Sequence, residues 1–287
     1  MEEIVIISGK GGTGKTTITA SFAVIAESKV IVDADVDAAN LHLLLHPEIK
    51  EVHKFKGGKK AVIDSARCVG CGRCEEVCRF GAPYEEGRVY CIDEFSCEGC
   101  GACALVCPRE AIKMEIEETG KYFISETEYG PFVHAELGIA QENSGKLVSV
   151  VREKAKDIAI RRGFPFVIID GPPGIGCPVI ASLTGVRTAL VVTESTLSGI
   201  HDMKRIIEVA FHFGVKVYLC INKYDLNEGI TSQIEEYAKN NGIEVIGKIP
   251  YEERVIEAVR RGVPPVKFLD GEIPNILLHM WERIKEG

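Results

Sequence analysis

The sequence predicts an α/β protein: a mostly parallel sheet with helices on both faces, interrupted by a small inserted α+β module. Three observations lead there. Apolar strand-like runs alternate with helical runs in both halves of the chain. The first such strand, Glu3–Ser8, ends in a glycine-rich loop and is followed by a helical run at Ile18–Glu27. Between the halves lie eight of the chain's eleven cysteines, in two evenly spaced groups. At 287 residues, with 46% hydrophobic and 26% charged residues, the chain suits one large domain or two modest ones; disorder and fibrous repeats are disfavoured.

The loop after the first strand reads Gly9-Lys10-Gly11-Gly12-Thr13-Gly14-Lys15-Thr16-Thr17 and satisfies the phosphate-loop pattern G-x-x-x-x-G-K-S/T, with a strand before it and a helix after it. Glycines at these places let backbone N–H groups converge on phosphate oxygens, and the helix start adds a partial positive charge. Lys15 is then placed to reach the β- and γ-phosphates and the Thr16 hydroxyl to hold Mg²⁺, so ATP and Mg²⁺ are the expected ligands. A second strand, Lys29–Val32, runs into Asp33-Ala34-Asp35-Val36-Asp37. A buried strand, 166–170, ends in Asp170 and continues as Gly171-Pro172-Pro173-Gly174. Val217–Ile221 delivers Asn222-Lys223, and Ile249-Pro250-Tyr251-Glu252 follows near the end. Helical runs near 144–161, 197–212, 228–240 and 252–261 separate these strands.

The form Lys-Gly-Gly-x-Gly-Lys-Thr-Thr resembles the deviant Walker A motif of the P-loop ATPase superfamily that includes MinD, ParA, Mrp and the nitrogenase iron protein. The later motifs match in order, so the resemblance covers essentially the whole chain. It implies a dimer on ATP binding, in which Lys10 crosses the interface to the partner's nucleotide. It implies that Asp35 orients the attacking water, with Asp37 second and Asp33 as a structural or Mg²⁺-shell acid. Asp170 then serves the Mg²⁺ shell, Asn222 and Lys223 the adenine, and the loop at Pro250 closes over the base.

The cysteines form an internal duplication. Cys68, Cys71, Cys74 and Cys78 have the spacing C-x2-C-x2-C-x3-C; Cys97, Cys100, Cys103 and Cys107 repeat it 29 residues later, followed by Pro108. Gly70, Gly72 and Val77 recur at that offset as Gly99, Gly101 and Val106. Zinc is the competing reading, although paired zinc sites usually space their cysteines more widely. Roughly residues 62–115 resemble bacterial-type two-cluster ferredoxins, in which the fourth cysteine of each run ligates the other cluster. The resemblance implies two 4Fe–4S clusters, one on Cys68, Cys71, Cys74 and Cys107 and one on Cys97, Cys100, Cys103 and Cys78. One departure is Arg79, which follows Cys78 where the second run has Pro108. The expected division is an ATPase domain of residues 1–60 and 116–287, with the ferredoxin module at 61–115. The junction Lys56-Gly57-Gly58-Lys59-Lys60 is polar and glycine-bearing.

The formal charge of −8, from 42 acidic and 34 basic residues, disfavours a general nucleic-acid surface. Residues 68–107 hold seven acids and three bases, a negative face suited to a basic redox partner. The amino terminus reads as no signal peptide, and no apolar run approaches the ~20 residues of a membrane span. A cytoplasmic protein without stable membrane insertion is expected. Cys91 and Cys220 read as packing thiols, and Cys177, just after Gly174, reads first as a residue that preserves the turn, with contact to substrate or a redox group as the alternative. His42 and His46 stand one helical turn apart but lack a third ligand. Ile276, Leu277, Met280, Trp281 and Ile284 share a face that reads as core packing, since no basic excess favours anionic lipid. The expected activity is a dimeric Mg·ATP-dependent ATPase whose nucleotide state gates electron transfer to or from an unidentified redox or iron–sulfur partner. An iron–sulfur carrier of Mrp type and a redox-sensing regulatory ATPase of MinD or ParA type are the alternatives.

Overall fold

The computed structural model describes residues 1–138 and 144–287. The chain opens with β1 (Glu2–Ser8), α1 (Lys15–Ile25), β2 (Lys29–Asp33), α2 (His42–Leu45), β3 (Glu48–Phe55) and β4 (Gly58–Ile63). It continues with α3 (Arg73–Val77), β5 (Pro83–Glu86), β6 (Val89–Ile92), α4 (Ala102–Val106), β7 (Ile112–Glu117), β8 (Gly120–Thr127) and β9 (Gly130–Leu137). Then come α5 (Ser144–Arg162), β10 (Phe166–Pro173), α6 (Cys177–Leu183), β11 (Thr188–Glu194), α7 (Leu197–His212) and β12 (Lys216–Asn222). The last elements are α8 (Glu228–Asn240), β13 (Glu244–Ile249), α9 (Glu253–Arg260), α10 (Pro265–Phe268) and α11 (Glu272–Lys285). Two compact units result. One comprises Met1–His53, Tyr122–Glu136 and Ser144–Gly287; the other is built on Lys54–Lys121.

In the first unit the described strands form one sheet in the order β13-β12-β11-β1-β10-β2-β9-β8-β3. From β13 through β9 every pairing is parallel. β2 is buried along its whole length and β1 in all but its first residue, as near-continuous Ile/Val runs require when helices cover both faces. The core between sheet, α1 and α11 holds Ile4, Phe22, Tyr218 and Trp281, with Trp281 packed on Phe22 at 5.6 Å and Phe166 at 5.3 Å. The carboxy-terminal helix therefore packs inward, as its sequence implied, though Ile273 is buried and Ile276 only half-buried. Across the opposite helix layer, Arg152 of α5 forks onto the buried Glu3 carboxylate at 3.0–3.1 Å.

The helices at 197–212 and 228–240 fall where their periodicity predicts. The first helix starts earlier than the expected Ile18, at Lys15, because Gly14 takes a left-handed conformation (φ 92°) and lets the chain enter the helix at once. It ends at Ile25 and not Glu27, since Ala26 is extended. The motif pattern does not foretell β3, β8 and β9, which lengthen the sheet beyond β2.

The second unit is duplicated in structure as well as in sequence. β4 pairs antiparallel with β7, and β5 with β6. At the 29-residue offset, β6 is the counterpart of β4 and β5 of β7, so each antiparallel pair takes one strand from each repeat. The Asp64 amide donates to the Ala111 carbonyl, and its counterpart Asp93 donates to Ala82, both at 2.8 Å. Gly70 and Gly99 have φ near +65° and lie against the carbonyls of Arg88 and Lys59, where a Cβ would sit 2.6 and 1.9 Å from the oxygen. Only glycine fits there.

Candidate functional site

The phosphate loop joins β1 to α1 and exposes a helix start with no side-chain cap and no acid in its first turn. The free N–H groups and partial positive charge at that terminus are thus left for an anion. Gly11, Gly12, Gly14, Lys15, Thr16 and Thr17 line an open cleft of about 540 Å³, faced by Asp35, Asp37, Pro172 and Pro173. Gly9 lies beside the cleft against Asp202, whose carbonyl would be 2.3 Å from an added Cβ. Thr13 is buried; its carbonyl accepts the Asn222 amide at 2.8 Å.

Parallel register brings the acids together at the carboxyl ends of β2 and β10, where Asp33 faces Asp170. Lys15 Nζ lies 3.0 Å from Asp35 and 4.0 Å from Asp170. Burial pulls the Lys15 ammonium down, but Asp170 and Asp35 together hold it above its ordinary value. Thr16 donates to Asp170 at 2.6 Å and Thr19 at 3.0 Å. Burial raises Asp170 above the usual carboxylate range despite these partners. Burial, then the neighbouring Asp170, pushes Asp33 up to about 7. The Asp33 carboxylate accepts the amides of Asp35 (3.1 Å), Asn40 (3.1 Å) and Leu41 (3.0 Å), so it fixes the loop that carries Asp35. Asp37 is exposed on that loop and is raised by partial burial, then by Asp35.

A second cavity of about 230 Å³ adjoins the cleft, sharing Gly12, Gly14 and Thr17. Asn222, Lys223, Pro250 and Tyr251 rim it, and Val255 and Leu277 lie among its apolar walls. Its mix of apolar walls and one planar amide suits a flat heterocycle. Lys10 lies outside both spaces and points to Glu194 at 3.3 Å and Ser198 at 3.2 Å. Glu194 also takes Lys223 at 2.6 Å; although burial raises it, Lys223 and then Lys10 hold its carboxyl below the ordinary value. No motif marks Glu194. The available signal is an acid at the carboxyl end of a parallel strand, in register with Asn222. Cys177 is the exposed first residue of α6, while its neighbour Pro178 lines the cleft. His46 is engaged by the Gly262 carbonyl at 2.8 Å, and Cys220 is buried in the core.

In the second unit Cys68, Cys71, Cys74 and Cys107 line a single cavity with Tyr90 and Ile112. The Tyr90 amide points at Cys68 Sγ (3.5 Å) and the Ala111 amide at Cys107 Sγ (3.3 Å). Cys97, Cys100 and Cys103 occupy the corresponding loop of the second repeat, and Cys78 follows α3. Burial pushes the Cys74 and Cys103 thiols up. All eleven cysteines are free thiols; Cys91 donates to Glu86 at 3.2 Å. Among the described residues, no group of three or more His, Cys, Asp or Glu is set to hold a single metal ion. Nor is any described helix long and apolar enough to cross a membrane.

Comparison with known proteins agrees with the first unit's geometry. An uncharacterised protein of Methanocaldococcus jannaschii is 37% identical over 230 residues, covering 78% of this chain and 79% of its own length. The septum site-determining protein MinD of Thermotoga maritima is 25% identical over 271 residues, covering 91% and 79%. The structure of Pyrococcus horikoshii MinD complexed with Mg-ADP superposes with a TM-score of 0.63 over 99% of this chain and 96% of that one, at 18% identity. Residues 4–266 match the family model described as the CobQ/CobB/MinD/ParA nucleotide binding domain, so the chain belongs to that family and is a P-loop ATPase of MinD/ParA type.

Proposed function

We propose that the nucleotide state of this ATPase gates electron transfer through two 4Fe–4S clusters carried in an inserted ferredoxin-like module, residues 61–115, with an unidentified redox protein as partner. The observation that carries this reading is the cavity lined by Cys68, Cys71, Cys74 and Cys107, three thiols of one repeat and the last of the other. Amides aimed at Cys68 and Cys107 supply the hydrogen bonds that cluster thiolates accept. The second set is Cys97, Cys100, Cys103 and Cys78. Bound clusters would supply one-electron chemistry. The eight cysteines would hold them, and the amides of Tyr90 and Ala111 would tune them. Eleven free thiols suit a reducing, cytoplasmic setting.

In the ATPase unit the chemistry is charge neutralisation, with no covalent intermediate. Lys15 turns from Asp35 toward the β- and γ-phosphates, and the loop amides of Gly11, Gly12 and Gly14 cradle them. Thr16 would hold the Mg²⁺ that accompanies the nucleotide, with Asp35 and Asp170 as the carboxylates that would serve its shell. Asp35, released by Lys15, positions the attacking water. Asn222, Lys223 and Pro250 seat the base. Lys10 is not committed to its own phosphate loop; it serves the partner's nucleotide in a homodimer formed on ATP binding.

Anaerobic reconstitution with iron and sulfide tests the module: acid-labile sulfide matching iron, with 4Fe–4S signals on reduction, is expected. A zinc-only product would overturn it. The likeness to MinD favours one second reading, a regulatory ATPase in which the clusters sense redox state. It predicts an ATPase rate that changes with cluster oxidation while no electron reaches any acceptor.

A further inference from the structure

The duplication in Lys54–Lys121 supplies an internal comparison. The two repeats share their turns, strand pairs and cysteine loops, so side chains that differ between equivalent places answer to something other than the shared fold. In the second repeat, Phe95 stands two residues before Cys97; its counterpart before Cys68 is Ala66. Leu105 stands two residues after Cys103, and its counterpart after Cys74 is Glu76. Phe80 stands two residues after Cys78, and its counterpart after Cys107 is Arg109. All three apolar side chains therefore flank the set Cys97, Cys100, Cys103 and Cys78, and all three counterparts flank the other set.

They are not packed. Phe95 is 88% exposed, Leu105 90% and Phe80 49%. Nor does the Phe95 turn depend on its side chain: its amide binds the Asp93 carboxylate at 3.1 Å, just as the Ala66 amide binds Asp64 at 3.0 Å. The same backbone device presents a small side chain in one repeat and a large aromatic in the other. Large apolar groups held in solvent on an ordered turn mark a contact surface. Exposed Glu94 and Glu98 flank Phe95, while exposed Arg79 adjoins Phe80 and Lys60 donates to the Glu94 carbonyl; the stretch 68–107 as a whole holds seven acids and three bases.

Resting on the two-cluster reading, we infer that the end of the module around Cys97, Cys100, Cys103 and Cys78 is a docking face for a redox protein whose apolar patch is ringed by lysine or arginine. The opposite end has Ala66, Glu76 and Arg109 at those three places and Val69 as its exposed apolar side chain, against two aromatics and a leucine here, and is not the docking face. Apolar anchors at the centre set the strength of such contacts, while the acidic rim steers approach and makes association salt-dependent.

The test uses the full chain and ferricytochrome c, a haem protein whose exposed haem edge is ringed by lysines, as probe. Binding is titrated calorimetrically at low ionic strength, with iron and sulfide measured on the same samples. The variant Phe80→Arg, Phe95→Ala and Leu105→Glu installs the first repeat's own side chains, which that repeat's fold accommodates, and leaves net charge unchanged. It is expected to weaken binding about tenfold or more. The inverse variant, Ala66→Phe, Glu76→Leu and Arg109→Phe, keeps wild-type affinity or tightens it. Equal affinity of the first variant and wild type overturns the inference, as does equal weakening by both variants. Nucleotide-free dimers, or binding to phosphatidylcholine vesicles, abolished by the first variant would give the face to a second copy or to lipid and likewise overturn it. Absent iron with the binding contrast intact would sink the cluster reading and leave the docking face standing.

Discussion

Replacing Lys15 with methionine keeps the stem of the side chain and deletes the ammonium that lies 3.0 Å from Asp35 and 4.0 Å from Asp170. Asp33 and Asp170 are fully buried and Asp35 nearly so, and all three act on this ammonium. Removing one partner of a buried pair costs about 3–5 kcal/mol, because the remaining charge keeps its desolvation penalty. With a urea slope of roughly 3 kcal/mol per molar, the midpoint should fall by about 1–1.7 M. Trp281 is the chain's one tryptophan and is buried in the ATPase core, so its fluorescence follows that unit. The deficit should also depend on pH. Asp33 already sits at about 7 in the folded chain, above its unfolded value, so the folded state binds more protons and stability from this group falls as pH rises toward 7. Without Lys15, Asp33 and Asp170 rise further, and the variant's deficit should be smaller at pH 6 than at pH 8. Adding Asp35→Asn should return part of the loss. An unfolding midpoint equal to wild type, or a deficit that grows on acidification, would refute the reasoning.

Three further outcomes are expected. Gly14→Ala forces a side chain into a left-handed conformation with its Cβ 2.5 Å from Asn222 Nδ2, so nucleotide affinity measured by calorimetry should fall at least about tenfold; wild-type affinity would contradict the loop geometry. Lys10→Ala removes an ammonium held by Glu194 and neighbouring hydroxyls, so binding of Mg·ATP should persist while ATP-dependent dimerisation, read by sedimentation, is lost. Cys107→Ala and Cys78→Ala should each remove about half of the reconstituted iron and a different one of two 4Fe–4S signals. Identical spectra for the two variants would contradict the crossed assignment.

Much of the ATPase unit is legible in the sequence because its signals are local. A buried Ile/Val strand, a run of glycines and a helical period declare β1, the phosphate loop and α1 within 25 residues. The cysteine repeat is equally plain, since spacing alone carries it. Long-range features are not. β3 reads Glu-Ile-Lys-Glu-Val-His-Lys-Phe and is exposed over most of its length, so it lacks the apolar alternation that reveals a half-buried strand. Glu194 is a single acid at a strand end, and its grip on Lys10 and Lys223 exists only in three dimensions. Asp33 could be read as a metal-shell acid until its carboxylate is seen to accept three loop amides. The contrast between Phe95 and Ala66 is printed in the sequence, yet it gains meaning only once both turns are seen to be the same and Phe95 to be exposed.

The most direct test of nucleotide gating is the reduction potential of each cluster in the reconstituted protein, measured without nucleotide, with Mg·ADP and with a non-hydrolysable ATP analogue. Coupling between the phosphate loop and the cysteine module predicts a potential that moves with nucleotide state, and a shift of about 60 mV in a one-electron couple corresponds to tenfold coupling. Potentials that are identical in all three states, together with unchanged electron exchange with an acceptor protein, would contradict it.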